Sequence, residues 1–454
     1  MIRAYVDFSR KIREWDGFGV IFANKNCNKQ TLEPTLFDCN NGYISEPYQK
    51  KTVELLFGNN GLRVPIIKTF LNCPEPKQNN FKSNENDPID INEYAFNPLD
   101  NATAEFFNSA AAASAQWGGA LQMLCTYTNP PGWMTKQKVA GGKDLEPSHR
   151  IDYARSMVAG IKYLVQKQFP VHFLSIHHHG EDWERWCGGE SINSSGLLSL
   201  YWPPEQVVDF LKLLRRMLDK NGLGFIGLTP GEIGNWLRFV DWGYSNAIID
   251  DPAAIQSLGL LTSTSLTTGS DPGNLVLVNS SGIDEIREQR SDIHAWFTEL
   301  NPVTQITSYL MQIRNLIYNS KVNAVILGDA INLSCDTYDS ALTTSGAFYY
   351  LKLFCRSGLP GTAICQVACN TKGASLIGFA GNAKKNCDAF IVINSGENEY
   401  DLPIEIRGSA NGIFSVYRTS TFEKYQNIGN IHVKEGKILF KALPFSATAF
   451  FGSI

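Results

Sequence analysis

The chain has 454 residues, of which 43% are hydrophobic and 19% charged, and its formal net charge is −4. This composition is typical of a folded globular protein and excludes a mainly disordered, collagen-like or low-complexity chain. Because the charges nearly balance and no basic run stands out, the electrostatic signature of a nucleic-acid-binding protein is absent.

The sequence predicts neither a membrane-spanning helix nor a signal peptide. No uncharged apolar stretch approaches the roughly 18 residues of a spanning helix. The opening MIRAYVDFSRKIREWDG alternates apolar and charged residues, whereas a signal peptide needs an unbroken apolar region of about 7–15 residues. The sequence therefore leaves the cellular compartment undetermined.

Short apolar runs alternate with longer amphipathic stretches through most of the chain, a pattern that predicts a parallel sheet covered by helices. The predicted strands are 17–23, 62–70, 120–127, 171–177, 223–228, 258–262, 293–298 and 322–327. The predicted helices are 48–57, 150–166, 205–220 and 303–318. Eight such strands predict a closed (β/α)8 barrel, an α/β fold.

After about residue 358 the pattern changes to short alternating segments separated by Gly, Asn and Ser, which is typical of a β-sandwich. The first residues alternate in the same way and are expected to add a strand to it. The predicted domains are a barrel at 15–357 and a sandwich made of 1–14 and 358–454.

Two acidic residues stand at predicted strand ends, where a barrel of this type places its active site. Glu181 follows the fourth strand in FLSIHHHGEDWERW, and Glu299 ends the seventh in DIHAWFTELN. A carboxyl pair about 5–5.5 Å apart performs retaining glycoside hydrolysis, with one group protonating the leaving oxygen while the other attacks the anomeric carbon. Nearby Trp residues suit this chemistry because pyranose faces pack on aromatic rings.

Four stretches carry a resemblance to a known family: DGFGV at 16–20, NPPGWM at 129–134, the GED around Glu181 and the WFTE ending at Glu299. In this order and spacing they resemble retaining glycoside hydrolases of clan A, most closely family 30. The terminal VYRTSTFEKYQNIGNI and LPFSATAFF are similar to that family's closing strands. The resemblance implies a (β/α)8 barrel with a side β-sandwich built from both chain ends.

The resemblance also implies roles for single residues. Glu181 matches the acid/base and Glu299 the nucleophile. Arg63, in GLRVP at the end of the second strand, matches an arginine that keeps the nucleophile ionised. Further matches are aromatic: Trp133 after the third strand, and Trp183 and Trp186, which resemble tryptophans of relatives that act on β-1,6-galactan.

The sequence departs from the family pattern at three places. Gly180 precedes the acid/base where the family usually has an Asn that holds the sugar 2-hydroxyl. The sixth-strand region 262–269 offers only hydroxyls where a His or Tyr is usual, and the eighth strand lacks a tryptophan. An unusual substrate subsite or impaired activity is therefore expected.

Other readings stay open for several candidates. Glu232 and Asn235, in LTPGEIGNW after strand five, are candidate ligand contacts, and Glu232 competes as a second acid. His177 and His179 are expected to face one side of a strand and His178 the other. They are interpreted as pocket-lining or structural residues, and no metal site is predicted.

The aromatic candidates and the cysteines also have structural alternatives. The Trp residues named above and Trp202 either contact sugar or belong to the core. The ten cysteines form no CxxC pair and are interpreted as buried hydrophobes, with one or two disulfides if the protein is exported.

The sequence thus predicts a retaining β-glycoside hydrolase that needs no cofactor and takes a carbohydrate substrate, with a β-galactan-type glycan indicated by the Trp183 and Trp186 match. Two alternatives remain: a carbohydrate-binding protein with a degenerate site, and a transglycosylase that uses the same two glutamates. The glycan, exo or endo action and the oligomeric state are left undetermined. A polymer-degrading enzyme would be expected outside the cytoplasm.

Overall fold

The computed structural model describes residues 4–22, 46–77, 84–96, 101–139, 142–181, 200–264, 279–301, 305–328, 335–338, 341–382 and 386–453. Its strands are β1 Ala4–Trp15, β2 Gly17–Phe22, β3 Ile66–Leu71, β4 Glu75–Pro76, β5 Tyr94–Ala95, β6 Gln122–Tyr127, β7 Val171–Ser175, β8 Gly227–Thr229, β9 Glu232–Ile233, β10 Leu261–Ser263, β11 Ala295–Leu300, β12 Ala324–Leu327, β13 Cys335–Tyr338, β14 Ala341–Thr344, β15 Thr362–Cys369, β16 Ala374–Ala380, β17 Ala389–Asn394, β18 Tyr400–Arg407, β19 Ile413–Thr419, β20 Gln426–His432, β21 Lys437–Ala442 and β22 Ser446–Gly452.

The helices of the described residues are α1 Glu46–Phe57, α2 Asn101–Ala115, α3 Arg150–Gln166, α4 Pro204–Lys220, α5 Trp236–Asp241, α6 Tyr244–Ile249, α7 Pro252–Ser257, α8 Ser281–Gln289, α9 Ile306–Tyr318 and α10 Gly346–Ser357. The four predicted helices correspond to α1, α3, α4 and α9. In α4 the side chains at i, i+3 and i+4 spacing from Val207 to Leu218 are buried, and Pro203 and Pro204 start the helix because proline fits its first turn.

A parallel sheet forms the predicted barrel. Its strands run in the order β8-β7-β6-β3-β2-β12-β11-β10-β9, and β8 and β9 are consecutive in the chain. Pro230 and Gly231 separate them, and two isolated parallel bridges, His178 to Glu232 and Leu228 to Leu258, join the two ends of the sheet. The barrel therefore has eight positions, with the fifth split into two short strands.

The barrel interior is layered along its axis. Ile66 on β3, Leu124 on β6 and Trp296 on β11 belong to one buried apolar cluster. Two residues further along the same strands stand Lys68, Thr126 and Thr298, all buried. Because side chains two apart in a strand share a face, this polar layer follows the apolar layer toward the carboxyl ends of the strands.

The barrel strands are predicted in the correct number and order, but several of their bounds differ from the observed ones. The second and sixth strands begin at Ile66 and Leu261, later than their predicted starts, and 223–226 lies outside the fifth strand. The fourth strand ends at Ser175, before the three histidines. The last two shifts matter for the site, because they change which residues occupy the mouth of the barrel.

The predicted sandwich is a second sheet of nine strands, in the order β20-β19-β22-β17-β16-β15-β1-β18-β21. As expected, the N-terminal strand β1 belongs to it, antiparallel to β15 and parallel to β18. Phe390 stacks on Phe450 inside this sheet with ring centroids 4.2 Å apart. On its other face, Tyr318 of α9 donates to the carbonyl of Cys365, which ties the sandwich to the barrel.

Two further predictions concern cysteines and membranes. Among the described cysteines, Cys73, Cys125, Cys355 and Cys365 are free and buried, as small hydrophobic residues would be. In the described parts of the chain, every helix is too short or too polar to cross a membrane.

Candidate active site

A buried ion pair lies in the polar layer of the barrel interior. The Lys68 ammonium is 2.5 Å from Oε2 of Glu232, and neither side chain is exposed to solvent. Thr298 donates to the same oxygen at 2.5 Å, and Thr126 donates to the other carboxylate oxygen. Both oxygens of Glu232 are therefore occupied, which disfavours Glu232 as a general acid and makes it a structural partner of Lys68.

Glu299 lies on the solvent side of this pair. Its Oε2 is 3.6 Å from the Lys68 ammonium and 3.3 Å from Nε2 of His178. Between Phe297 and Leu300 the register of β11 shifts against β12, and such a bulge re-aims side chains. It lets the neighbours Thr298 and Glu299 both reach the Lys68–Glu232 pair, although strict alternation would point them to opposite faces.

The surroundings of Glu299 favour its ionised form. Burial by itself raises the pKa of a carboxyl, but here the hydrogen bond from His178 and the charge of Lys68 outweigh it, and the pKa of Glu299 lies well below its usual range. Since a carboxylate only accepts hydrogen bonds, the proton of the His178–Glu299 contact is assigned to Nε2.

Glu181 occupies the opposite kind of environment. Its side chain is fully buried, and Oε1 accepts from the backbone N–H of Gly234 and lies 3.6 Å from Nη1 of Arg238. Within the described residues Oε2 has no hydrogen-bond partner. Burial raises the pKa of the Glu181 carboxyl, because the Gly234 N–H and the Arg238 charge only partly replace lost water.

The three histidines do not alternate as a strand would require. They follow the end of β7, and His179 has a left-handed backbone with φ of 54°. His178, expected on the side away from the site, contacts Glu299, and its ring lies 4.2 Å from the His179 ring. The expected grouping of the triplet is therefore wrong, because the chain has left the extended conformation that alternation assumes.

His177 and His179 have separate roles. His177 is fully buried, and its Nδ1 accepts from the N–H of Gly180 at 3.0 Å. Burial and the charge of His178 lower the pKa of His177 to about 3, so it is neutral and structural. His179 is partly exposed, and its Nε2 lies 3.1 Å from the hydroxyl of Thr264. Burial lowers the pKa of His179 as well.

Gly180 fits tightly against His177. A Cβ on Gly180 would lie 2.6 Å from Cε1 and Nδ1 of the imidazole, closer than any unstrained contact. The carbonyl of Gly180 also accepts from the N–H of Trp202 at 2.8 Å. An asparagine at this position therefore requires His177 to move, which gives a packing reason for the departure from the family pattern.

Trp202 and Asn235 have structural partners, whereas Trp133 stays a candidate for contact with sugar. Trp202 is fully buried and stacks on His177, so the suggestion that it contacts sugar is wrong. Asn235 caps α5 by accepting from the N–H of Arg238, which holds the segment after β9 in place. Trp133 is 36% exposed after β6, with its ring edge against His149 at 4.9 Å. Trp183 and Trp186 lie outside the described residues.

Arg63 is far from its expected position beside Glu299. It precedes β3, at the amino-terminal end of the barrel, and its guanidinium donates to the carbonyl and side chain of Asn59. The expectation fails because Arg63 stands at the start of the second strand and not at its end: the predicted strand spans 62–70, and β3 begins at Ile66. Lys68, five residues further along the chain, supplies the cation next to Glu299.

Comparisons with known proteins bear on the fold. No protein-family model and no curated protein matches the sequence. Among solved structures, the family 30 subfamily 8 xylanase from Clostridium acetobutylicum aligns over 100% of both chains with a TM-score of 0.71 and 17% identity. The fold is that of the family 30 glycoside hydrolases. A conserved exported protein from Bacteroides fragilis aligns over 99% of both chains with a TM-score of 0.74 and 12% identity.

A third similar structure is an endo-β-1,6-glucanase, with a TM-score of 0.68, 14% identity, and coverage of 100% of this chain and 94% of the other. The predicted resemblance to family 30 is thus confirmed for the fold.

Within this family 30 fold, sequence reasoning missed Lys68, His178 and Arg238. Lys68 had a usable signal, since a lysine inside the apolar strand segment VPIIKTF is rarely buried without a partner. His178 was set aside by the alternation rule. Among the described residues no group of three or more His, Cys, Asp or Glu side chains is arranged to hold a metal ion.

Proposed function

We propose that the protein is a retaining β-glycoside hydrolase in which Glu299 is the nucleophile and Glu181 the acid/base. The observation that carries the proposal is the opposite electrostatic environment of the two carboxyls: burial raises the pKa of Glu181, while His178 and Lys68 lower that of Glu299. A retaining mechanism needs this pair of states, one protonated acid and one ionised nucleophile.

In the first step a carboxylate oxygen of Glu299 attacks the anomeric carbon as the glycosidic bond breaks, and the Glu181 proton passes to the leaving oxygen. The product is a glycosyl ester of Glu299 and an ionised Glu181. In the second step Glu181 takes a proton from water, the hydroxide oxygen bonds to the anomeric carbon, and the ester bond breaks. The sugar leaves with its original configuration.

Lys68 and Glu232 support both steps. When Glu299 becomes a neutral ester, Lys68 keeps the Glu232 carboxylate as a partner at 2.5 Å. The buried ammonium is therefore compensated throughout the cycle, which matters because an unpaired buried charge is strongly destabilising.

The substrate class follows from similarity. Two of the similar structures are described as a xylanase and an endo-β-1,6-glucanase, which supports a β-linked polysaccharide as substrate. The β-galactan-type glycan indicated by Trp183 and Trp186 is part of the same proposal.

A carbohydrate-binding protein with a degenerate site is the second candidate. The observation in its favour is the contact of Gly180 with His177, which leaves no room at that position for the asparagine of the family pattern. A transglycosylase would use the same two glutamates and differ only in the acceptor.

The test is hydrolysis of aryl β-glycosides and β-linked glycans by the wild type and by Glu299→Gln and Glu181→Gln, with product anomers followed by NMR. We expect a β-configured first product that Glu299→Gln abolishes. Glu181→Gln should retain more of its activity on a dinitrophenyl glycoside than on a glycan, because a good leaving group needs no proton. Glu399→Gln, on the exposed surface, is the matched control.

Three outcomes separate the candidates. An α-configured first product, or near wild-type turnover in either active-site variant, contradicts the assignment. Glycan binding without any product supports the binding protein. Disaccharide products from an added acceptor sugar support the transglycosylase.

A further inference from the structure

A second cluster of charged groups lies at the other end of the barrel, where α10 and the loop after α1 meet the sandwich. Arg63 and Arg356 both donate to the carbonyl oxygen of Asn59, so two guanidinium groups converge on a single acceptor. Arg356 also donates to the carbonyl of Gly61 at 3.1 Å. These contacts orient the two groups, but a carbonyl oxygen is a neutral acceptor and does not cancel the charge of a guanidinium.

Lys352 adds a third cation. It stands four residues before Arg356 on α10, and residues at this spacing share one face of a helix. Its ammonium lies 4.7 Å from the centroid of the Tyr425 ring, and the Arg356 guanidinium carbon lies 5.7 Å from the same centroid. The Tyr425 ring thus lies near two cations, Lys352 and Arg356, and Arg63 shares a carbonyl acceptor with Arg356.

The cluster lacks a negative partner in the described part of the chain. None of its three side chains forms a salt bridge there, and the Lys352 ammonium has ring contacts but no hydrogen bond. Burial and the charges of Arg356 and Arg63 lower the pKa of Lys352 to about 8. All three side chains are partly exposed, so a ligand from solvent can reach them.

We propose that Arg63, Lys352 and Arg356 form a binding site for an oxyanion of the sulfate or phosphate type. Such a group carries several acceptor oxygens and at least one negative charge. It would accept from the Lys352 ammonium, which has no acceptor among the described residues, and it would reduce the repulsion among the three cations. The anion is either free in solution or an ester on a sugar. The site is separate from the proposed catalytic glutamates and does not depend on their roles.

The test compares the thermal stability of the wild type and Lys352→Met in low millimolar sodium sulfate, with sodium chloride at equal ionic strength as the reference. A ligand that binds only the folded state stabilises it by RT ln(1 + [L]/Kd), so Tm begins to rise once the ligand concentration exceeds Kd and then climbs with its logarithm. We expect this rise for the wild type, and an onset at a sulfate concentration at least 10-fold higher for Lys352→Met. Lys167→Met is the matched control, because Lys167 is an exposed lysine whose ammonium likewise lies near a tyrosine ring, 5.7 Å from the centroid of Tyr163.

A second variant and a second ligand complete the test. Arg63→Gln should weaken sulfate binding like Lys352→Met, which covers the case in which one variant does not fold. Galactose 6-sulfate identifies the source of the anion: tighter binding than sulfate indicates a sugar ester, and equal binding indicates a free anion. An equal response to sulfate in the wild type and both variants, or to chloride and sulfate in the wild type, overturns the proposal.

Discussion

The Lys68 ammonium lies 3.6 Å from Oε2 of Glu299 while it forms a 2.5 Å ion pair with Glu232. The buried Lys68 ammonium thus interacts with two carboxylates: that of Glu232 inside the barrel and that of Glu299, which faces the mouth. The difference decides the two roles: at 2.5 Å Lys68 donates a hydrogen bond to Glu232, whereas at 3.6 Å Glu299 feels the charge of Lys68 and keeps its oxygen lone pairs available for reaction.

Replacing Lys68 should therefore affect stability and activity together. In Lys68→Met two carboxylates lose their shared cation, and breaking a buried pair costs about 3–5 kcal/mol. We expect a loss of that size in urea unfolding at pH 7. Lys212→Met removes a partly exposed pair with Asp251 and should cost about 0–1 kcal/mol. Equal losses in the two variants would contradict a special role for Lys68.

The hydrogen bond from His178 should set the acidic limb of the pH profile. In His178→Phe the ring packing remains but Glu299 loses a donor, so its carboxylate is less stabilised and its pKa rises. Because a hydrogen bond to a charged group contributes about 1.5–3 kcal/mol, the acidic limb of kcat/KM should move upward by about one to two pH units. The basic limb, assigned to Glu181, should stay in place.

His172→Phe is the control for this profile, since His172 is an exposed histidine on β7 whose Nδ1 lies 2.7 Å from the carbonyl oxygen of Pro170. A profile for His178→Phe that overlays the wild type on the acidic side would show that His178 does not act on Glu299.

We expect the buried Glu181 to lower the free energy of unfolding at neutral pH. Its pKa is raised by burial above the ordinary value of 4.5, so above that pH the unfolded chain releases a proton that the folded chain retains. Ionisation then favours the unfolded state. Glu181→Gln has no proton to release, and its free energy of unfolding relative to the wild type should increase as pH rises from 4 to 7.

Each unit of pKa elevation corresponds to about 1.4 kcal/mol of this gain. Urea unfolding of both proteins at pH 4 and pH 7 measures it. A difference between the proteins that is the same at both pH values would show that the burial of Glu181 is not the cause.

The contact between Gly180 and His177 should make Gly180→Ala destabilising by about 1–3 kcal/mol, the usual cost of overpacking. Gly412→Ala is the control, because a Cβ there meets nothing within 4 Å. Adding His177→Ala to Gly180→Ala should recover part of the loss, and this double-mutant cycle measures the coupling. Strictly additive effects would exclude the clash as the reason for the glycine.

Much of the architecture follows from local sequence pattern. Periodicities of two and of about 3.6 residues depend only on neighbours in the chain, and they were enough to predict the eight barrel positions, the buried face of α4 and the sandwich strands at both ends of the chain. The positions of Glu181 and Glu299 after β7 and within β11 follow from the same pattern, because parallel strands bring their carboxyl ends together.

The tertiary structure decided which polar side chains meet. Lys68, Glu232 and Glu299 come from three strands whose alignment depends on the split fifth strand and on the bulge in β11, and neither feature has a periodic signal. His178 reaches Glu299 only because the chain turns out of the strand after Ser175, with His179 at a positive φ. Arg63 was assigned to the wrong end of the barrel by its motif match, because a short motif such as GLRVP does not show at which end of a strand it lies. The sequence alone thus determined the barrel and the sandwich, whereas contacts between distant segments determined which charges surround Glu181 and Glu299.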